Sequence, residues 1–166
     1  MSTIEKHYSG FLEEVKEKIY QSQYQALKAV NKELINLYWE IGQSIIEKQE
    51  EYKWGKSVVE TLADDLQKEF PGLKGFSSQN LWRMRKFYLE YQTNVKLSPL
   101  VREIGWSHNT VIIDRCKDDL EREFYIKMTK KYGWTKNVLI HQVEGGAYQL
   151  FLNNQTNFDK SIRSEI

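Results

Sequence analysis

The chain has 166 residues, 28% of them Asp, Glu, Lys or Arg, with a formal net charge of +1 and a single cysteine. That length supports one substantial core, or a small domain plus an extended element, and argues against two independent enzyme domains. Cys116 alone cannot build a disulfide framework or a cysteine-based zinc site and fits a reducing cytosol; no run approaches the roughly 18 apolar residues of a membrane span, and the N-terminus lacks a secretory apolar region.

Charge is unevenly distributed. Residues 1–70 hold 9 Lys/Arg against 13 Asp/Glu, whereas residues 71–166 hold 15 against 10, so the basic excess lies in the second half. From Phe11 to Glu51 there is no proline and only one glycine, Gly42. Apolar residues recur at Leu12, Val15, Ile19, Ala26, Val30, Leu34, Leu37, Ile41 and Ile45, and steps of three, four and seven mark one helical face. A 41-residue helix is about 60 Å long, longer than a globule of this size. It therefore bends near Ala29-Val30-Asn31, or projects and packs its stripe on another chain, or folds back on the last helix. Leu12, Val15, Ile19 and Ala26 are the candidate self-association residues.

Residues 57–60, Ser-Val-Val-Glu, have capping-box spacing and open a second helix that runs to Pro71. Three glycine–aromatic–hydroxyl triplets follow: Gly75-Phe76-Ser77, Gly105-Trp106-Ser107 and Gly133-Trp134-Thr135. In each, the hydroxyl is expected at the N-cap and the aromatic at N′, stapled to Leu81, Val111 or Leu139 at N4. The expected helices are 77–91, a short one over 99–104, then 107–116, 118–132 and 135–152, with a polar linker at 92–98 and a frayed tail. No segment alternates with period two. The fold class is all-α: a long N-terminal helical region over 1–52, a helix-turn-helix-like core over 53–153, and a tail over 154–166.

Catalytic constellations are sparse. His7, His108 and His141 show no two-histidine metal spacing, and adjacent acidic pairs such as Asp64-Asp65 diverge by about 100° on a helix. Glu14-Val15-Lys16 has the Glu-x-Lys spacing of metal-dependent nucleases but lies on a helix, without a sheet to assemble carboxylates around a metal. No metal site and no cofactor is expected. The positive signal is Lys74 to Tyr88: polar residues at a helix start, then basic ones. With Leu81, Met84, Tyr88 and Tyr91 turned inward, Gln79, Arg83, Lys86 and Glu90 fall on another face. Ser77 and Ser78 with the N-terminal N–H groups can hold phosphate, and Gln79, Asn80 and Arg83 can read base edges, supported by Lys74, Arg85 and Lys86. Trp82 and Phe87 suit a protein partner instead. His108 reads as a solvated first-turn residue.

The runs 36–42 (Asn-Leu-Tyr-Trp-Glu-Ile-Gly), Trp54-Gly55, 66–72 (Leu-Gln-Lys-Glu-Phe-Pro-Gly), Gly75-Phe76-Ser77, 80–85 (Asn-Leu-Trp-Arg-Met-Arg), Trp106-Ser107-His108 and 122–125 (Arg-Glu-Phe-Tyr) together resemble the N-terminal domain of the bacterial YhcG family. The resemblance implies a helical DNA-binding domain of winged-helix-like or helix-turn-helix fold that usually precedes a PD-(D/E)xK nuclease domain. Only seven residues follow Asp159, so no catalytic residue is carried over. A nuclease domain or subunit is expected to be supplied separately. The sequence thus points to a non-enzymatic, cytoplasmic DNA-binding module with a second copy of the chain as a further partner; the alternative is a helical adaptor without DNA contact.

Overall fold

A computed structural model describes residues 2–164, with side chains from Ser2 to Thr156. Among the described residues there is no strand, and so no β-wing. The first helix, α1, runs without a break from Thr3 to Tyr52, about 75 Å at 1.5 Å per residue. It starts eight residues before the apolar pattern does because Ser2 and Glu5 form a reciprocal capping box, satisfying donors that the first turn leaves unpaired. The body begins only at Lys28 and Asn31, where Lys28 meets Glu103 and the Asn31 amide donates to the Ile104 carbonyl at 3.0 Å. Residues 16–30 are exposed throughout, as are nearly all of those before them. Of the three expectations for this helix, projection is the one realised, while α8 packs on α6 and α7.

Seven further helices follow: α2 (Ser57–Glu69), α3 (Ser78–Tyr91), α4 (Leu97–Leu100) continuing into a 3₁₀ turn at Val101–Glu103, α5 (Trp106–Arg115), α6 (Asp119–Tyr132), α7 (Lys136–Glu144) and α8 (Ala147–Ser164). Two adjoining clusters form the core. Tyr38, Ile45, Val59, Ala63, Leu81 and Met84 make one. Ile35, Phe87, Tyr91, Leu97, Val101, Ile112, Tyr125, Ile126 and Leu139 belong to the other. Helix α3 supplies both, Leu81 and Met84 to the first and Phe87 and Tyr91 to the second, so it is the hub on which α1, α2 and α5 pack. Trp106 bridges the clusters, edge-on to Tyr38 and to Phe87 at 4.9 and 5.3 Å between ring centroids, a geometry that suits the aromatic quadrupole.

Two of the three triplets behave as expected. Ser77 accepts from the Asn80 N–H and Thr135 from the Val138 N–H, both at 3.2 Å, with Phe76 and Trp134 packed on the clusters that hold Leu81 and Leu139. The middle one does not. Gly105 is the N-cap, Trp106 is already in the first turn, and Ser107 caps nothing. Asn109 instead ties the turn from within the helix, its buried amide donating to the Val101 and Gly105 carbonyls at 2.9 and 3.1 Å. At α2 the expected capping box is absent as well: Lys56 is the N-cap, with no side-chain bond.

The helix expected over 135–152 is two helices. Gly145-Gly146 breaks it, Gly146 taking φ of +71°, a region open to glycine and costly for other residues. The Tyr125 hydroxyl holds the break, donating to the Gln142 carbonyl at 3.4 Å and accepting from the Tyr148 N–H at 3.2 Å. Beyond it, α8 continues as helix to Ser164 where fraying from Asn153 was expected; residues 165 and 166 lie outside the described residues.

Candidate nucleic-acid interface

The start of α3 is built from below. Gly75 has φ of +103°, and a β-carbon there would collide with the Tyr38 hydroxyl, so both backbone and packing require glycine. The Gly75 carbonyl accepts from the Asn80 amide at 2.6 Å, and the Asn80 carbonyl oxygen accepts from the Trp106 indole N–H at 2.8 Å. Asn80 thus uses both ends of its amide inside the fold. It fixes the angle of α3, and its amide plane is set by these contacts within the fold.

Among the other candidate residues, Lys74, Ser77 and Gln79 are exposed, and Ser78, Arg83, Arg85 and Lys86 half-buried. They do not all point one way. Arg85 turns toward α1, its Nε donating to the Gln49 carbonyl oxygen at 2.8 Å while its guanidinium lies over the Trp82 ring, 5.6 Å from the centroid. Lys86 turns toward α5 and sits 3.7 Å from Asp114. Both partners are roughly half exposed, so this pair contributes little and yields readily to another anion. Lys74, Ser77, Ser78, Gln79 and Arg83 share the N-terminal end of the helix. Phe87, suggested above as a protein-docking residue, is fully buried; Trp82 is half-buried beneath Arg85. Glu90 is engaged elsewhere, 2.8 Å from the Arg122 guanidinium.

A second basic cluster escaped the sequence reading. The turn between α6 and α7 is only Gly133-Trp134-Thr135, much tighter than residues 70–77 between α2 and α3. Gly133 takes φ of +62° as the α6 C-cap. Lys130, Lys131 and Lys136 surround the turn, all exposed. His108 braces it from α5 through a 2.6 Å bond between its Nε2 and the Trp134 carbonyl, so it is a half-buried structural residue, not a solvated one. The Gly133-Trp134-Thr135 triplet is visible in the sequence, but its flanking lysines are split between two helices and form no run.

Leu12, Val15, Ile19 and Ala26 lie on α1 ahead of its first contact with the body, with Leu12 and Ile19 38% and 49% exposed. Further along the same helix, α1, α2 and the 70–76 connector enclose an open apolar groove of about 1060 Å³, lined by Leu37, Ile41, Trp54, Leu62, Phe70 and Leu73 among others. Among the described residues, no group of three or more His, Cys, Asp or Glu stands close enough to hold a metal, and no helix is long and apolar enough to cross a membrane.

No curated protein and no solved structure matches the chain. The DUF1016 N-terminal domain matches residues 14–150, most of its length and every element from the projecting helix to the start of α8. The chain therefore belongs to the DUF1016/YhcG family, whose N-terminal domain it carries.

Proposed function

We propose that this domain is a non-enzymatic DNA-binding module of a nuclease-associated bacterial protein, and that it grips duplex DNA with the N-terminal half of α3. The observation that carries the reading is the two-sidedness of that helix. Leu81, Met84, Phe87 and Tyr91 are buried on one side, while Ser78, Gln79, Arg83 and Lys86 remain accessible on the others. A helix held this firmly from behind is a rigid reader, and its capped N-terminus presents backbone N–H groups to a phosphate. Gln79 and Arg83 are suited to base edges, and Lys74, Ser77, Arg85 and Lys86 to the phosphate backbone. Asn80 is a positioning residue. The nuclease activity would come from a domain or subunit supplied separately.

The test is fluorescence anisotropy with a labelled duplex at low and moderate salt. Affinity should fall steeply with salt, because each neutralised phosphate releases counterions. Arg83→Glu combined with Lys86→Glu should abolish binding with the helical CD spectrum intact. The lysines around the Gly133 turn favour a second location, since a short turn of three residues that contains a glycine is common in helix-turn-helix units. If Lys131→Glu with Lys136→Glu removes binding and the α3 variant keeps it, the interface moves to α7. If the parent protein binds no duplex at low salt, the adaptor reading replaces both.

A further inference from the structure

Tyr132 and Trp134 flank Gly133 in the turn between α6 and α7, and the left-handed backbone at Gly133 brings their rings to within 20° of parallel, 6.2 Å between centroids. Tyr132 is 57% exposed. The pair is held from behind: the Trp134 N–H donates to the Thr129 carbonyl at 3.3 Å, and the Trp134 carbonyl accepts from His108. The Lys131 ammonium lies over the Tyr132 ring, 5.3 Å from its centroid. An exposed cation–π contact is weaker than a base stacked on an aromatic ring, so a base can displace that ammonium and release it to a phosphate.

Charge decides which ligand suits such a platform. Residues 124–143 contain four lysines and no Asp or Glu. Lys127 and Lys130 are paired with Glu123 and Glu103. Lys131 and Lys136 are exposed and stand in no salt bridge among the described residues. The turn between α1 and α2 provides the comparison. There Lys53, with φ of +57°, separates Tyr52 from Trp54, whose rings stack at 4.9 Å, and Lys48 lies over Tyr52. The aromatic geometry is alike, but Lys48 is paired with Glu51 at 3.5 Å, and Glu47 and Glu50 are its neighbours on the helix. Of the two turns, 132–134 alone combines an exposed aromatic stack with uncompensated positive charge, which selects an anionic ligand that also carries a flat ring.

We infer that the α6–α7 turn takes an unpaired base of single-stranded DNA: the base stacks on Tyr132, and the flanking phosphates meet Lys131, Lys136 and the capped N-terminal end of α7. The inference goes beyond the α3 reading and does not depend on it, because the ligand is a strand without a duplex.

Fluorescence anisotropy of a labelled oligo-dT about 12 nucleotides long, added to the full chain at low salt, should show binding. Tyr132→Ala should weaken it about 5- to 150-fold, the loss expected for one base–aromatic stack. The salt slope should not change, because tyrosine neutralises no phosphate, whereas Lys131→Gln with Lys136→Gln should flatten it. Tyr132→Phe should bind like the parent, and so should Tyr52→Ala. Duplex affinity measured alongside tests α3 separately: if the duplex fails to bind and oligo-dT binds, only the α3 reading falls. An oligo-dT carrying iododeoxyuridine, irradiated with the parent protein, should cross-link within residues 131–136, a readout that needs no variant. A parent protein that binds no oligo-dT at low salt overturns the inference, and so does a folded Tyr132→Ala protein that binds like the parent, or a cross-link confined to other residues.

Discussion

At Gly42 helix α1 runs close against the backbone of α3, and replacing that glycine with alanine sets two effects of opposite sign against each other. A β-carbon built there falls against the Met84 carbonyl oxygen, 2.7 Å from the Met84 carbonyl carbon and 3.2 Å from the Arg85 nitrogen. Every one of these atoms is backbone, so no side-chain rotation relieves the contact. Carbon atoms pack at about 3.5–4.0 Å and the contact with the Met84 carbonyl oxygen is closer still, so α1 and α3 must part by about 1 Å at this point. A gap of that size forfeits about a quarter to a half of each facing dispersion contact, along the seam where Tyr38 and Ile45 share a cluster with Leu81 and Met84. Overpacking typically costs about 1–3 kcal/mol, and this seam belongs at or above the top of that range. Alanine gains about 1 kcal/mol over glycine in a helix interior. The net expectation is a loss of about 2 kcal/mol, hence a melting temperature lower by roughly 4–8 °C for a domain of this size. Thermal melts followed at 222 nm at one fixed protein concentration measure it. Gly10→Ala is the control, because a β-carbon at Gly10 meets nothing within 4 Å, and it should leave the melt unchanged or raise it. A Gly42→Ala protein that melts at or above the parent temperature would refute the reasoning.

Other perturbations test the same architecture. Asn80→Ala strands the Trp106 indole N–H and the Gly75 carbonyl and should cost about 1–3 kcal/mol in chemical denaturation; an unchanged midpoint would mean that Asn80 is not the brace of α3. Glu90→Ala removes the carboxylate from Arg122, whose side chain is 3% exposed against 36% for Glu90. The cost should be about 2 kcal/mol, below the roughly 3–5 for a fully buried pair, because water reaches the Glu90 side; a urea titration reads it. Hydrogen bonds from Lys127 and then Lys96 hold the Glu123 carboxyl below its ordinary range. The stability this contributes is present above the ordinary carboxyl pKa and is lost as pH falls through the depressed value. Melts between pH 6 and 3 should steepen there, and Glu123→Gln should flatten that part of the profile. Burial pushes the Cys116 thiol up to about 12, so the folded state keeps a proton that the unfolded state releases from about pH 9. Stability therefore declines from about pH 9 toward 12, and a thiol reagent at pH 8 should label Cys116 only after unfolding.

What could be read from sequence follows from what each residue is constrained by. Most of the buried face of α3 (Leu81, Met84 and Tyr91) and the stripe on α1 were legible because burial repeats every three or four residues, although Phe87 rather than Tyr88 completes the α3 face. Ser77 and Thr135 were legible because an exposed N-cap needs only a hydroxyl at the right offset. Ser107 misled for a tertiary reason: Trp106 is drawn under α3 to meet Asn80, Tyr38 and Phe87, and that shifts the helix start by two residues. The break at Gly145-Gly146 was missed because the apolar pattern continues across it, while the Tyr125 hydroxyl that fixes it comes from another helix. The surface residues offered the least. Nothing local told Arg85 to turn toward Gln49, or Asn80 to turn inward.

The runs that carry the family resemblance explain why the fold is more secure than the site. Tyr38, Gly42, Gly75, Asn80, Met84 and Trp106 all lie in those runs, and all meet at the junction of α1, α3 and α5. Each is specified by a neighbour that leaves room for little else: a glycine where a β-carbon would strike backbone, an amide that satisfies an indole, an aromatic edge against another ring. Those demands exist whatever the domain binds. The runs behind the resemblance thus coincide with how α3 is held, while on the proposed reading Lys74, Gln79 and Lys86, which lie outside those runs, and Arg83, which is in one but only half-buried, would decide what α3 meets. If the proposed reading holds, charge reversal at Arg83 and Lys86 should change binding without changing the fold, whereas substitution at Asn80 should change both. That difference lets experiment tell a reading surface from the scaffold that aims it.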